Sequence, residues 1–134
     1  MDSLRIVPEE LLDRIESIIS DLPEVESNSG GQHASFLVAG SKKFAWFLND
    51  HHGDGMICLC VKADPEEKET LIDMDPTKYL RPAYVSRFGW MSIRLDEGNI
   101  DWDEIEQRLC GSYRMAAPKR LLKILDEKRV RDDA

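Results

Sequence analysis

Residues 35–62 leave this chain little choice but antiparallel strands. Phe36 and Val38 alternate with Leu37, and Ala39-Gly40-Ser41 then makes a tight turn. Residues 43–49 return as Lys-Phe-Ala-Trp-Phe-Leu-Asn, residues 50–55 turn again, and residues 56–62 close the run as Met-Ile-Cys-Leu-Cys-Val-Lys. Aromatic and β-branched side chains at alternating positions between glycine-containing turns fit a pleated surface and predict two consecutive hairpins.

Helical patterns flank this meander. Pro8 suits a first helical turn, and Leu11, Leu12, Ile15, Ile18, Ile19 and Leu22 recur at three- and four-residue spacing until Pro23 ends the run. Residues 24–26 read as a short edge strand and residues 27–31 as a polar loop. Asp64-Pro65-Glu66-Glu67 supplies a cap, a first-turn proline and an acid, predicting a helix to about Met74. Residues 78–85 run extended, with Arg81 held so by Pro82, and after Gly89 a strand spans 90–95. Asp101 with Glu104 caps a helix carrying Trp102, Ile105, Leu109 and Tyr113 on one stripe. Pro118 opens a further turn with Leu121, Leu122, Ile124 and Leu125, and a polar tail frays from about residue 126. The pattern predicts an α+β fold, a single domain over 1–134. Its core is expected to hold Leu11, Ile15, Ile19, Phe36, Val38, Phe44, Leu59, Ile93, Ile105 and Leu109.

A length of 134 residues suffices for a core without disulfide or metal. No apolar run approaches the ~20 residues of a membrane span, and no leader pattern stands at the N-terminus, so the expectation is a cytoplasmic protein with no membrane partner. Cys58, Cys60 and Cys110 lack CxxC spacing and read as free, packed thiols. The net charge of −8 argues against general nucleic-acid affinity, which rests on Lys and Arg contacts to phosphate. The charge is unevenly spread, however: residues 77–95 contain no acid and interleave Lys78, Arg81, Arg87 and Arg94 with Tyr79, Tyr84, Phe88 and Trp90.

Catalytic signals are absent. His51 and His52 stand with Asp50 and Asp54 in a turn, but adjacent residues in extended geometry point opposite ways and a solvated turn is the simpler account. His33 has no nucleophile at a recognised spacing. Glu9, Asp13 and Glu16 line one side of the first helix, as a solubilising face does. No phosphate-loop, dinucleotide, zincin or nucleophile-elbow pattern occurs. The expectation is a non-enzyme with no catalytic residue, no metal site and no cofactor.

Four segments together resemble the MmcQ/YjbR family: His33…Phe36-x-Val38-x-Gly40-x-Lys42-x-Phe44-Ala45, the strand Leu59-Cys60-Val61-Lys62 before Asp64-Pro65, Arg81-Pro82…Gly89-Trp90, and Ser112-Tyr113. The resemblance runs from the first helix to about Leu125. It implies a CyaY-like α/β sandwich, an antiparallel meander sheet with the N- and C-terminal helices packed on one face. It also implies a DNA-binding label that rests on two projecting hairpin wings. On this chain the wings would present Lys42, Lys43, Lys78, Arg81, Tyr84, Arg87 and Phe88 for weak, salt-dependent DNA contact. The competing reading is that these cations pair with the acidic helices. Trp90 and Tyr113 are expected to join the last strand to the last helices, with a small-ligand pocket between them as the alternative. Trp46, Phe47, Met56, Cys58 and Cys60 place apolar groups on both faces of the meander, which predicts a protein partner or a homodimer. The function expected is therefore a small DNA-binding module. The alternative is a domain without DNA affinity, for protein interaction or for weak metal or small-ligand binding.

Overall fold

The computed structural model describes residues 7–30, 33–50, 53, 55–82, 89–97 and 99–133. In chain order the elements are α1 (Pro8–Ile19), β1 (Val25–Gly30), β2 (His33–Val38), β3 (Lys42–Asn49), β4 (Ile57–Lys62), α2 (Pro65–Met74), β5 (Tyr79–Leu80), β6 (Trp90–Arg94), α3 (Trp102–Ala116) and α4 (Lys119–Asp133). The strands form one antiparallel sheet in the order β1-β2-β3-β4-β6-β5. This is the expected α+β architecture. Among the described residues no helix is long and apolar enough to cross a membrane.

The turn between β2 and β3 sets the frame. Ala39 and Gly40 have φ of 55° and 79°, and the Ser41 N–H donates to the Val38 carbonyl at 3.4 Å, the turn geometry whose twist matches a hairpin. Glycine at the second position carries the positive φ without a Cβ penalty. Just beyond, β3 bulges: Phe36 pairs with Ala45 but Leu37 pairs with Lys43, leaving Phe44 as the extra residue.

One face of the sheet carries Ala34, Phe36, Val38, Ala45, Phe47, Leu59, Val61, Met91 and Ile93, all buried in a single cluster with Ile15 and Ile19 of α1 and Ile105, Leu109 and Tyr113 of α3. Helix α3 crosses β3 and β4, and α1 lies beside it. The Tyr113 ring meets Phe44 edge-on at 5.6 Å, and its hydroxyl donates to the Pro23 carbonyl at 2.7 Å, tying α3 to the chain after α1. Nine of the ten predicted core residues are fully buried, and Leu11 packs against them partly exposed. The predicted caps are present: Asp64 accepts from the N–H groups of Glu66 and Glu67, and Asp101 from those of Asp103 and Glu104.

Three boundaries differ from the sequence reading. Helix α1 ends at Ile19 rather than Leu22, because the Ser20 hydroxyl donates to the Ser17 carbonyl and the Leu22 N–H to the Ile19 carbonyl in a tightened last turn. Residues 27–30, read as loop, continue β1 along β2. As an edge strand β1 needs no apolar alternation, so Glu26, Ser27, Asn28 and Ser29 are exposed while the backbone pairs. The tail from 126 is helical to Asp133. Arg114 donates to Asp126 at 2.6 Å, and the Lys128 ammonium donates to the Asp21 carbonyl at 3.2 Å, which anchors α4 beyond its apolar stripe.

Candidate nucleic-acid interface

The sheet face turned away from α3 carries the aromatic and cationic groups. Because β4 lies between β3 and β6, Cys60 is the partner of both Trp46 and Ser92, and Lys62 is the partner of Trp90. Alternation puts these side chains opposite the core residues Leu59, Val61, Met91 and Ile93. Trp46 and Trp90 reach toward each other across β4, with ring centroids 4.4 Å apart and planes inclined by 36°. The Lys43 ammonium stands 5.6 Å from the Trp46 ring and the Lys62 ammonium 5.5 Å from the Trp90 ring, both within cation–π range. Trp90 is 7 % exposed, whereas Trp46 and Lys62 are half-buried and Lys43 is exposed. Cys60 is wholly enclosed on this face, and burial pushes its thiol up to about 12.

The bulge at Phe44 makes this cluster. Lys43 and Trp46 are three residues apart, a spacing that sends side chains to opposite sides of a regular strand. With Phe44 as the extra residue, Lys43 pairs with Leu37 and Trp46 with Ser35, so both share the outward face. Charge is unevenly spread over the elements. The six strands carry Lys42, Lys43, Lys62 and Arg94 against the single acid Glu26, while α1 holds Glu9, Glu10, Asp13 and Glu16 against Arg14.

The residues singled out from the sequence divide into groups. Lys42 and Lys43 are exposed where β3 leaves the first hairpin. Lys78 is taken up within the fold: its ammonium lies 2.6 Å from Glu104, and Glu104 also accepts from the Tyr79 hydroxyl. Burial pushes the Glu104 carboxyl up, but the hydrogen bonds from Lys78 and Tyr79 outweigh it and hold the carboxyl below its ordinary value. Arg81 pairs with Glu69 of α2, and Arg94 pairs with Asp96 at 2.9 Å. Lys78 and Arg81 thus pair with carboxylates of helices α3 and α2, as the competing reading has it, whereas Arg94 pairs with Asp96 just beyond its own strand. Tyr84, Arg87 and Phe88 lie outside the described residues, as do His51, His52 and Asp54 of the second turn.

Trp90 and Tyr113 do not line a common pocket. Tyr113 is fully enclosed in the core and Trp90 lies on the other side of the sheet, because β6 alternates Trp90 and Ser92 outward with Met91 and Ile93 inward. Of the apolar residues expected on a second face, Phe47 belongs to the core, Cys58 and Cys60 are buried, and Trp46 and Met56 are half-buried. His33 accepts the Asn49 N–H at 3.2 Å through Nδ1, a structural contact across the hairpin. A cleft of about 540 Å³ between α3 and α4 is lined by Glu106, Cys110, Arg114 and Arg129 among others, with burial raising the Cys110 thiol above its ordinary value. Among the described residues no three His, Cys, Asp or Glu side chains gather as metal ligands.

The strand meander, the α3 contact and the segment from Arg81 to Trp90 fall inside a stretch that matches a family model. The model is that of YjbR, and it matches residues 20–115. The chain belongs to the YjbR family. The YjbR match begins just after α1 and stops one residue short of the end of α3, so α4 lies outside it. Among solved structures, the fold is similar to the crystal structure of Deinococcus radiodurans protein DR2400, with its DUF419 domain, at a TM-score of 0.62 and 23 % identity over 76 % of this chain and 75 % of that one. That likeness is one of fold. No curated protein matches the sequence. Trp46, Trp90, Lys43, Lys62, Ser112 and Tyr113 all lie within the YjbR segment.

Proposed function

We propose that this YjbR-family chain is a small non-catalytic DNA-binding module of the cytoplasm. It would hold the sugar-phosphate backbone weakly and without sequence preference, at the tip of the first hairpin and on the outward face of the sheet. The observation that carries this reading is the cationic bias of the strands, Lys42, Lys43, Lys62 and the Asp96-paired Arg94 against the single acid Glu26, on a chain whose first helix is acidic. A local cationic surface attracts phosphate even on an acidic protein, because exposed charges farther away than about 8 Å are screened at physiological salt. This reading moves the contact from the Lys78 and Arg81 loop, whose cations have carboxylate partners, to Lys42, Lys43 and Lys62.

The test is a titration of labelled duplex and single-stranded DNA at low and moderate salt. Each phosphate neutralised contributes about −0.9 to the log–log salt slope on duplex and about −0.7 on single strands. The double variant Lys42→Glu, Lys43→Glu should abolish binding, and Arg81→Ala should leave it nearly unchanged. No binding of either DNA form at low salt would leave a protein-interaction domain as the better description.

A further inference from the structure

We infer that Trp46, backed by Trp90 and flanked by Lys43 and Lys62, is a stacking platform for an unpaired base of single-stranded DNA. The inference rests on the DNA reading above and fixes which form of DNA the face accepts. Base–aromatic stacking needs an indole that is held in place on one side and reachable on the other. Trp90, 7 % exposed and with its ring centroid 4.4 Å away, holds Trp46 from one side. The exposed Lys43 ammonium lies 5.6 Å from the Trp46 ring, Ser35 and Cys60 are the strand partners of Trp46 on β2 and β4, and Trp46 itself is half-buried rather than enclosed.

The lysines supply the second half of the recognition. An exposed lysine over a ring is a weak contact, and its flexible stem lets it swing from ring to phosphate. A base entering over Trp46 would displace Lys43 sideways onto its own phosphate, while Lys62, 5.5 Å from the neighbouring ring, stands ready for the adjoining phosphate. Both faces of a base in a duplex are already covered by its neighbours, so a duplex offers the platform nothing to stack. Only a strand whose bases can splay out uses the indole and the lysines together.

The experiment follows intrinsic tryptophan fluorescence and, in parallel, the anisotropy of labelled 15-mers at low salt: oligodeoxythymidine, a duplex and oligouridine. Trp102 lies under the Arg14 guanidinium on the helical layer and serves as an internal background signal. Saturable quenching by the single strand, with affinity about tenfold or more above that for duplex, is expected. Trp46→Leu should weaken single-strand binding by about tenfold or more with an unchanged melting temperature. Trp46→Phe, which keeps a stacking ring and guards against misfolding, should retain most of the affinity while losing most of the quench. Equal binding of duplex and single strand, unaffected by Trp46→Leu, would overturn the platform and leave the DNA reading intact. Tighter binding of oligouridine than of oligodeoxythymidine would overturn the assignment to DNA. Absence of binding to all three probes would overturn both the platform and the proposed function.

Discussion

Lys62 on β4 donates its backbone N–H at 2.8 Å to the hydroxyl of Ser112 on α3, not to the neighbouring strand. The same hydroxyl donates to the carbonyl of Phe44, the bulged residue of β3. The β3–β4 ladder runs from Asn49–Ile57 to Ala45–Val61, and one further step would set Phe44 opposite Lys62. Ser112 thus relays a ladder bond that the bulge has opened, and the backbone groups on both sides stay satisfied in a buried place.

Removing that relay should be costly for so small a change. Ser112→Ala leaves a buried N–H and a buried carbonyl without their partner, and about 1–3 kcal/mol of stability should be lost. Urea unfolding should show a lower midpoint with an unchanged slope.

A second prediction concerns the centre of the sheet. Ile93 is fully enclosed, opposite Leu59 on one side and Tyr79 on the other. Ile93→Ala should cost about 2–5 kcal/mol through lost transfer free energy and the cavity left behind. A melting curve identical to that of the unmodified protein would contradict the strand's place in the core.

The Lys78–Tyr79–Glu104 cluster gives stability a dependence on acid. The folded-state pKa of Glu104 is depressed, so its contribution is complete above the ordinary value of 4.5 and is lost as pH falls through the lower folded value. Glu104→Gln should therefore lower the urea midpoint at pH 7. The two proteins should converge once the pH has fallen through that depressed folded value, where the wild-type carboxyl is protonated as well.

Thiol chemistry separates the cysteines. Cys58 and Cys60 are buried, and Cys60 is pushed up to about 12, whereas Cys110 is half-buried. A disulfide reagent at pH 8 should label Cys110 alone in the native protein, and slowly, because its thiol is also raised. All three should react on unfolding, and Cys110→Ser should remove native labelling.

Much of this fold is written in periodicity and punctuation. The apolar stripes of α1 and α3, the alternation of β2 and the caps at Asp64 and Asp101 each follow from a local rule, and these elements stand where the rules put them. The continuation of β1 over residues 27–30 escaped because an exposed edge strand is held by backbone bonds that leave no mark on side-chain pattern. The Lys43–Trp46 face escaped for a related reason: period two separates the pair, and a single extra residue at Phe44 reunites it. The cations of residues 77–95 stood out by composition, yet composition does not reveal that Lys78 and Arg81 meet Glu104 and Glu69, 26 and 12 residues away.

The strand order β1-β2-β3-β4-β6-β5 has a consequence for time as well as for shape. Four consecutive strands are neighbours in space, so β1 to β4 assemble by closing short loops, whereas α3 reaches Lys62 and Phe44 across 50 and 68 residues. Loops of that length are slow to close, which makes the meander the natural nucleus and the docking of α3 a late event. The loss in Ser112→Ala should accordingly fall on the unfolding limb of the chevron, and a truncation inside the meander such as Phe36→Leu should slow refolding instead. A serine that splices two strands after they have met would then act as a latch, setting how long the native state lasts rather than how fast it forms.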